Sequence, residues 1–430
     1  MTRPCGWVGP LSALALAGCM LDLNGLERRD AAGLPDSGGG RDAGAFDAAG
    51  VDAAGFDAGP GLDAAGVDAG DRPDAGGGER DGGPRPCELW TSRVLMPCML
   101  PAAAPIVSLD GALNTSTGMF TGGGGARVLG TMTSVGGVDV LLISAVDFEV
   151  PSGGTLRVTG SRPLAVAASH EIHIRGTLDL TSYTFSDRGA GSGVGACGNG
   201  IVGSSGSSGT GGGGGGALGG NGGRGGEGNG NPSGGEMTEP GGNGGTMQPI
   251  PTTVRGGCIG GDSGMGVGGP SAVGRGGPGG GGVLLSARDL VAVEGQILAG
   301  GAGGEGAPNA TAAGGGGGGS GGVVILEAGT IEVDGLIAAN GGGGGGGGAF
   351  SSAGMSGEDG QPSATRADGG DAGSGGSSGA RGGAGSMRDG ESRMPPTPVG
   401  GGGGGGGAVG YVQLWTTSMT IGGTISPSPS

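Results

Sequence analysis

The chain has 430 residues, of which 125 are glycine, and it carries a formal net charge of −17. Glycine makes up about 7% of an average protein, so much of this chain cannot form an ordinary packed core. The acidic balance argues against a nucleic-acid partner, because binding phosphates requires a basic surface.

The first 18 residues have the features of a signal peptide. Arg3 supplies a positive charge, and an apolar stretch runs from Trp7 to Ala17. A membrane span takes about 20 apolar residues, so this shorter stretch is typical of a removable signal. The quartet Leu16-Ala17-Gly18-Cys19 then resembles the lipobox of bacterial lipoproteins.

The lipobox resemblance implies that residues 1–18 are removed and that Cys19 carries the acyl chains. A plain secretory signal with an incidental cysteine is the alternative. Met20 stands where the inner-membrane retention signal of enterobacterial lipoproteins has Asp. The resemblance therefore implies a protein anchored by lipid in the outer membrane, facing the periplasm or the cell surface.

Residues 19–86 are predicted to be a disordered tether. They repeat D-A-A-G and D-A-G, as in Asp47–Gly50 and Asp63–Gly66, and contain almost nothing apolar to bury. Such acidic segments remain solvated. The aspartate spacing also raises calcium binding, but the G-G-x-G half of the calcium-binding repeat is missing. In composition the tether resembles the Asp/Ala/Gly-rich stalks of myxobacterial lipoproteins.

Four cysteines remain once Cys5 leaves with the signal and Cys19 is acylated. An even number in an exported chain indicates two disulfides, with three possible pairings. The order of the cysteines along the chain favours disulfides between those that are adjacent in the sequence. No C-x-x-C spacing occurs, so we assign no metal and no cofactor. The expected disulfides are Cys87–Cys98 and Cys197–Cys258.

A repeat lies between the glycine-rich stretches. Four segments, beginning at residues 163, 282, 322 and 410, align on a shared glycine, and a looser fifth copy begins at 138. An alternating apolar trio precedes each glycine, as in Ile331-Glu332-Val333, which predicts strands with one buried face. The shared glycines are Gly154, Gly176, Gly295, Gly335 and Gly423.

The repeat predicts an all-β fold, a short right-handed parallel β-helix (solenoid) over residues 138–430, with 87–137 as its N-terminal cap region. A short unit of strands and one-glycine corners can wind one coil per repeat. The pattern resembles β-helices of the pectin-lyase-like type. Equivalent residues should then be neighbours on adjacent strands; which face of the first strand points inward stays open. The expected neighbours are Ile172, Val291, Ile331 and Met419.

The long glycine-rich inserts leave each repeat at the same point, after Thr181, Ala299 and Asn340. They should therefore form long loops on one face of the solenoid. Two interpretations remain open: a mobile, solvated fringe, or stacked strands like those of polyglycine II, clamped by Cys197–Cys258. Mycobacterial glycine-rich surface proteins and glycine-rich antifreeze proteins share this composition. We recognise neither the helical domain of the former nor the regular G-G-x triplets of the latter.

Charged residues at outward strand positions are weak candidates for binding a carbohydrate or a metal ion. A carboxylate pair near an arginine is similar to the sites of pectin hydrolases. A solvated face is the alternative. His170 and His173, the two histidines of the chain, should face opposite sides of a strand, which disfavours a metal site. The candidates are His173, Arg175, Glu294, Glu332 and Asp334.

These patterns favour a non-catalytic structural or adhesive lipoprotein at the cell surface, without an assigned catalytic residue. Its expected partners are the membrane, through the lipid anchor, and extracellular polysaccharide or other envelope components. The alternatives are a carbohydrate-binding or carbohydrate-cleaving protein and a calcium-dependent or ice-binding surface layer. Trp90 and Trp415 are the only tryptophans of the mature chain, so aromatic surfaces for sugar stacking are scarce.

Overall fold

The computed structural model describes residues 90–183, 185–193, 197–206, 209–229, 238–266, 269, 272–308, 312–349, 352–393 and 400–430. The predicted signal peptide, Cys19, the tether and Cys87 lie outside the described residues. In the described ranges, all regular secondary structure is β except a 3-10 turn at Pro97–Met99. The predicted all-β class is therefore confirmed.

The strands are short, and most coincide with the alternating apolar runs of the sequence. They are β1 (Ala104–Ser108), β2 (Gly111–Asn114), β3 (Met119–Gly122), β4 (Gly125–Val128), β5 (Thr131–Val135), β6 (Val138–Val150), β7 (Thr155–Thr159), β8 (Leu164–Ala168), β9 (Glu171–Ile174), β10 (Thr177–Asp179), β11 (Gly282–Ala287), β12 (Leu290–Val293), β13 (Gln296–Leu298), β14 (Val323–Glu327), β15 (Thr330–Val333), β16 (Leu336–Ala338), β17 (Tyr411–Trp415), β18 (Ser418–Ile421) and β19 (Thr424–Ser426).

The predicted right-handed β-helix is wrong. β6 runs unbroken for 13 residues and pairs with both β8 and β9. It joins their ladders into one sheet of eleven strands, a largely parallel half-barrel. Nine strands follow the order β17-β14-β11-β8-β6-β9-β12-β15-β18, and β1 and β5 also pair with β6. The second sheet, in the order β19-β16-β13-β10-β7-β2-β3-β4, is mixed because β2, β3 and β4 are antiparallel.

The predicted register between repeats is confirmed. Ile172 pairs with Val291, Val291 with Ile331, and Ile331 with Met419, all in parallel strands. Each repeat must turn with glycine for a steric reason: a β-carbon at Gly295 or Gly335 would overlap the carbonyl oxygen of the glycine one repeat earlier. The corner glycines stack directly on each other, and no larger residue fits there.

The apolar faces meet in a core between the two sheets, where Phe148, Ile172 and Leu178 are fully buried. The first strand of each repeat buries both of its faces. Alternate residues point into this core, and the others contact a second cluster that includes Trp90 and Leu218. Both faces of this strand are therefore apolar, and the sequence alone left open which of them points into the core between the sheets.

The segment around Trp90 is held on the sheet by one buried carboxylate. Glu327 on β14 is 4% exposed and accepts hydrogen bonds from the Ser92 hydroxyl at 2.6 Å, the Arg93 amide at 2.5 Å and the Ser286 hydroxyl at 3.0 Å. These donors satisfy a charge that burial would otherwise disfavour. They fix the chain that covers the outer face of the sheet.

The glycine-rich inserts are not loops beside a solenoid. They form a block with a buried centre, named here the glycine lattice, of parallel and antiparallel segments whose backbones hydrogen-bond to one another. Each of four central segments bonds to six neighbouring segments. The central segments are 210–219, 313–322, 340–348 and 400–410; the outer segments are 198–204, 220–229, 239–248, 256–264, 274–280, 300–307, 354–360, 367–373, 377–383 and 388–393.

Successive residues of a central segment bond in three directions in turn. This period matches a polyproline II helix, which has three residues per turn and rises about 3.1 Å per residue. None of the central-segment glycines has a positive φ, so glycine is required there for packing. Gly211, Gly212 and Gly213 donate to the carbonyl oxygens of Ser204, Gly226 and Gly315 at 2.9 Å, and Gly214, Gly215 and Gly216 to those of Ile201, Gly223 and Gly318 at 2.8–2.9 Å.

The interpretation as stacked polyglycine II strands is therefore correct, and the mobile fringe is not. The expectation that regular G-G-x triplets are missing is wrong, because residues 219–228, which enter outer segment 220–229, read G-G-N-G-G-R-G-G-E-G. Every third side chain there, such as Arg224, lies at the surface. The predicted Cys197–Cys258 disulfide is confirmed and links outer segment 198–204 to outer segment 256–264. Cys98 is a disulfide cysteine, and its predicted partner lies outside the described residues.

The lattice and the sheets are continuous. Segments 313–322 and 400–410 lead directly into β14 and β17, while 300–307 and 340–348 follow β13 and β16. Adjacent strands are about 4.7–4.9 Å apart. Glycine-rich segments that lead into or follow neighbouring strands therefore start side by side. This explains why every insert leaves at the same point of the repeat.

We predict that Gly317→Ala disrupts the lattice. An added β-carbon would overlap the carbonyl oxygen of Gly214, and overpacking of this kind costs about 1–3 kcal/mol or more. Gly123→Ala is the matched control, because nothing lies within 4 Å of its added β-carbon. Thermal unfolding followed by circular dichroism should show a lower midpoint for Gly317→Ala alone. Equal midpoints would refute the packed lattice.

Ile331→Asp should unfold the β region. Ile331 is fully buried between the sheets, and an unpaired charge there loses its hydration without gaining a partner. Such changes exceed about 4 kcal/mol. Glu332→Ala, at the next and exposed position, should leave the denaturant midpoint almost unchanged. A folded Ile331→Asp protein would contradict this core.

Candidate functional site

The predicted charged residues come together on the outer face of β9, β12 and β15. His173 pairs in register with Ala292, and Ala292 with Glu332. Glu294 lies between two basic side chains: its Oε1 is 3.5 Å from His173 Nδ1 and 3.5 Å from Arg175 Nε. The predicted juxtaposition of Arg175 with Glu294 is therefore observed.

Other parts of the predicted arrangement of charged residues are not observed. Arg175 makes its shortest contact, 2.5 Å, with Glu149 on β6, so its main partner lies on the opposite side from the predicted carboxylate pair. Glu332 and Asp334 form no ion pair with a described residue. Glu294, Glu332 and Asp334 are exposed, and His173 and Arg175 are partly exposed and lie beside carboxylates. The face therefore has the character of a solvated ionic surface.

The two histidines contact the same carboxylate. His173 Nε2 lies 2.9 Å from Glu171 Oε2, and His170 Nε2 lies 3.5 Å from Glu171 Oε1. The expectation that they face opposite sides is wrong, because His170 precedes β9 and does not follow the alternation of the strand. His170 Nδ1 also lies 2.7 Å from Asp147 Oδ1. This hydrogen bond, with the nearby carboxylates, raises the pKa of His170 above 6.5.

A second cluster, which the sequence analysis missed, lies in the turn after β10. We name residues 181–183 and 185–188 the aromatic turn. Tyr183 and Phe185 are 42% and 44% exposed, unusually high for aromatic side chains in a chain with few of them. Their position directly after a strand and before Arg188 is the signal that the sequence carries for this cluster.

Each ring of the aromatic turn is backed by arginine. The Arg157 guanidinium lies 4.8 Å from the centre of the Tyr183 ring, and Arg188 lies 4.2 Å from that of Phe185. Arg157 is itself held by Asp179 at 3.4 Å and Asp187 at 2.7 Å. These cation–π contacts and ion pairs fix the rings while leaving much of their area exposed.

The Tyr183 hydroxyl donates to Asp179 Oδ2 at 3.0 Å. Burial of the hydroxyl end, followed by the charge of Asp179, raises the pKa of Tyr183 to about 12. The phenol therefore remains a neutral donor across the physiological range.

A groove adjoins the aromatic turn. It has a volume of about 500 Å³, within the usual range for small-molecule sites. Ser192, which lines it, is 8% exposed, and its hydroxyl has no hydrogen-bond partner in the described part of the chain. The polar residues that line the groove are Asn114, Thr159, Ser161, Ser186, Asp187, Arg188 and Ser192.

The pKa of His170 should fall towards 6.5 in Asp147→Asn, because the variant removes the carboxylate that accepts its hydrogen bond. Since the folded pKa is raised, the contribution of His170 to stability is present below pH 6.5 and is lost as the pH rises through the raised value. NMR titration of the two imidazoles measures the shift. Glu332→Gln, on the same face, is the control and should not move it. An unchanged pKa in Asp147→Asn would disprove the assigned pair.

Among the described residues, no group of three or more His, Cys, Asp or Glu could hold a metal ion. No helix in these same ranges is long and apolar enough to cross a membrane. Comparison with protein-family models, curated proteins and solved structures found no match to the chain.

Proposed function

We propose that this protein is a non-catalytic structural or adhesive lipoprotein of the cell surface, in which the glycine lattice is the rigid part that is displayed. The observation that carries the proposal is the bonding of each central segment to six neighbours. A block of this kind holds its surface by backbone hydrogen bonds throughout, which suits a part that must keep its shape.

The proposed attachment rests on the N-terminal sequence. Cys19 in the L-A-G-C quartet would carry the lipid, and residues 19–86 would separate the folded block from the membrane. A flexible segment of about 65 residues has a root-mean-square span of roughly 40–50 Å. This length would place the block clear of the lipid headgroups.

The dimensions of the lattice support a scaffold. A ten-residue segment such as 313–322 is about 30 Å long at 3.1 Å per residue. Three further central segments and ten outer segments of six to ten residues pack beside it. In outer segment 220–229 every third side chain reaches the surface, at Asn221, Arg224 and Glu227. Regularly spaced side chains on a rigid face would allow many weak contacts to act together.

The alternative function, carbohydrate cleavage on the charged face, has less support. Cleavage by the usual mechanism needs two carboxylates on either side of the scissile bond, one acting as acid. Here Glu294 contacts both His173 and Arg175, and Glu149 contacts Arg175. The carboxylates of this face mostly stabilise its bases.

Cys19→Ser should abolish lipid attachment. In a Gram-negative host, wild-type protein is expected to incorporate radiolabelled palmitate and to sediment with the outer membrane, whereas Cys19→Ser should do neither. Cys5→Ser is the matched control, because Cys5 lies in the predicted signal peptide and should be dispensable. Protease treatment of intact cells then tests surface display.

The adhesive part of the proposal is tested with the same cells. Those displaying the wild-type chain should bind envelope polysaccharide above the level of cells expressing Cys19→Ser, with no release of reducing sugar. Palmitate labelling that persists in Cys19→Ser would overturn the anchor. Release of reducing sugar would favour the enzymatic alternative.

A further inference from the structure

We propose that the aromatic turn and the adjoining groove form a binding site for a neutral saccharide. This inference rests on the proposed adhesive function and assigns it a place on the molecule. The site consists of two exposed rings beside a groove rich in hydroxyl, amide and carboxylate groups.

The rings supply the apolar part of the site. A sugar ring has an apolar face of C–H groups and a rim of hydroxyls, so it suits an exposed aromatic surface next to hydrogen-bonding groups. Tyr183 and Phe185 together provide such a surface, each more than two-fifths exposed. Two exposed rings close together in the sequence, on a chain with 3% aromatic residues, are a candidate surface for such a ligand.

The rings are already held in place. Arg157 lies against Tyr183, and the Tyr183 amide donates to the Asp187 carbonyl oxygen at 3.0 Å. Arg188 lies against Phe185 and donates from Nε to the Phe185 carbonyl oxygen at 2.9 Å. Because the side chains are fixed before binding, little conformational entropy is lost when a ligand stacks on them.

The groove supplies the polar part. Asp187 and Arg188 belong both to the aromatic turn and to the groove, so the rings and the polar groups are contiguous. Asn114, at the end of β2, and Ser161, which follows β7, also line the groove. The buried Ser192 hydroxyl lacks a partner in the described ranges, which is uncommon for a buried polar group and marks a place where a ligand hydroxyl or water belongs.

The charges favour a neutral ligand. Arg157 is neutralised by Asp179 and Asp187, and Arg188 and Arg275 lie over Phe185. The groove itself is lined by one carboxylate, Asp187, and one guanidinium group, Arg188, so neither sign dominates its lining. A uronate or sulfated polymer would meet carboxylates as well as guanidinium groups, whereas uncharged hydroxyls can donate to the former and accept from the latter.

The test is an array of neutral and uronate-containing oligosaccharides probed with the purified full-length chain, followed by calorimetric titration of the best neutral ligand. Tyr183→Ala and Phe185→Ala should each weaken binding about tenfold or more, as expected for central aromatic contacts. Tyr183→Phe keeps the ring and should bind nearly as well as the wild type. Met247→Ala, an exposed apolar residue in outer segment 239–248, controls for general loss of apolar surface.

Three results would overturn the site: no binding to any neutral oligosaccharide, binding to uronates alone, or unchanged affinity in both alanine variants. Thermal midpoints equal to that of the wild type exclude unfolding as the cause of a loss, and Tyr183→Phe separates ring stacking from the Asp179 hydrogen bond. Palmitate labelling is measured separately, so an anchored chain that binds no saccharide refutes this inference alone.

Discussion

The absence of a β-carbon at the glycines of the four central segments is the constraint on which the rest of the molecule depends. Only glycine lets six neighbouring backbones approach closely enough for the N–H and C=O groups of each segment to be bonded in every direction. Burial of backbone in a protein requires that these groups find partners. The lattice meets this requirement with almost no side chains, and it replaces a hydrophobic core with about one favourable hydrogen bond per residue, each worth about 1 kcal/mol net.

Ordering glycine is costly, because no other residue loses as much conformational freedom. The apolar sheets reduce this entropy loss, because they fix the positions at which the glycine-rich segments start. β11, β14 and β17 lie in register, so the glycine segments that lead into them are aligned before the lattice extends further. Cys197–Cys258 ties two outer segments together on the other side. The sheets and the lattice therefore stabilise each other.

Much of the β region was predictable because period-two alternation is a local property. The trio around Ile331 and the corner at Gly335 identified the strands, and stacking equal corners gave the register. The merging of ladders was not predictable, because it depends on β6 continuing unbroken through the point where later repeats turn. For the candidate sites, His170 was misplaced because the alternation ends just before β9, and the aromatic turn was missed because exposure of Tyr183 and Phe185 is set by distant segments.

The sequence by itself determined the strand pattern, the stacking of the repeats and the common exit point of the inserts, since each follows from spacing along the chain. It favoured Cys197–Cys258 among three possible pairings, and the structure confirms that disulfide. Only the tertiary structure decided that the inserts are ordered, which segments occupy the centre of the lattice, and that two sheets form in place of a solenoid. A glycine run is compatible with both a flexible loop and a packed polyglycine segment. The difference lies in whether six neighbours surround it, and those neighbours come from parts of the chain up to about 200 residues away.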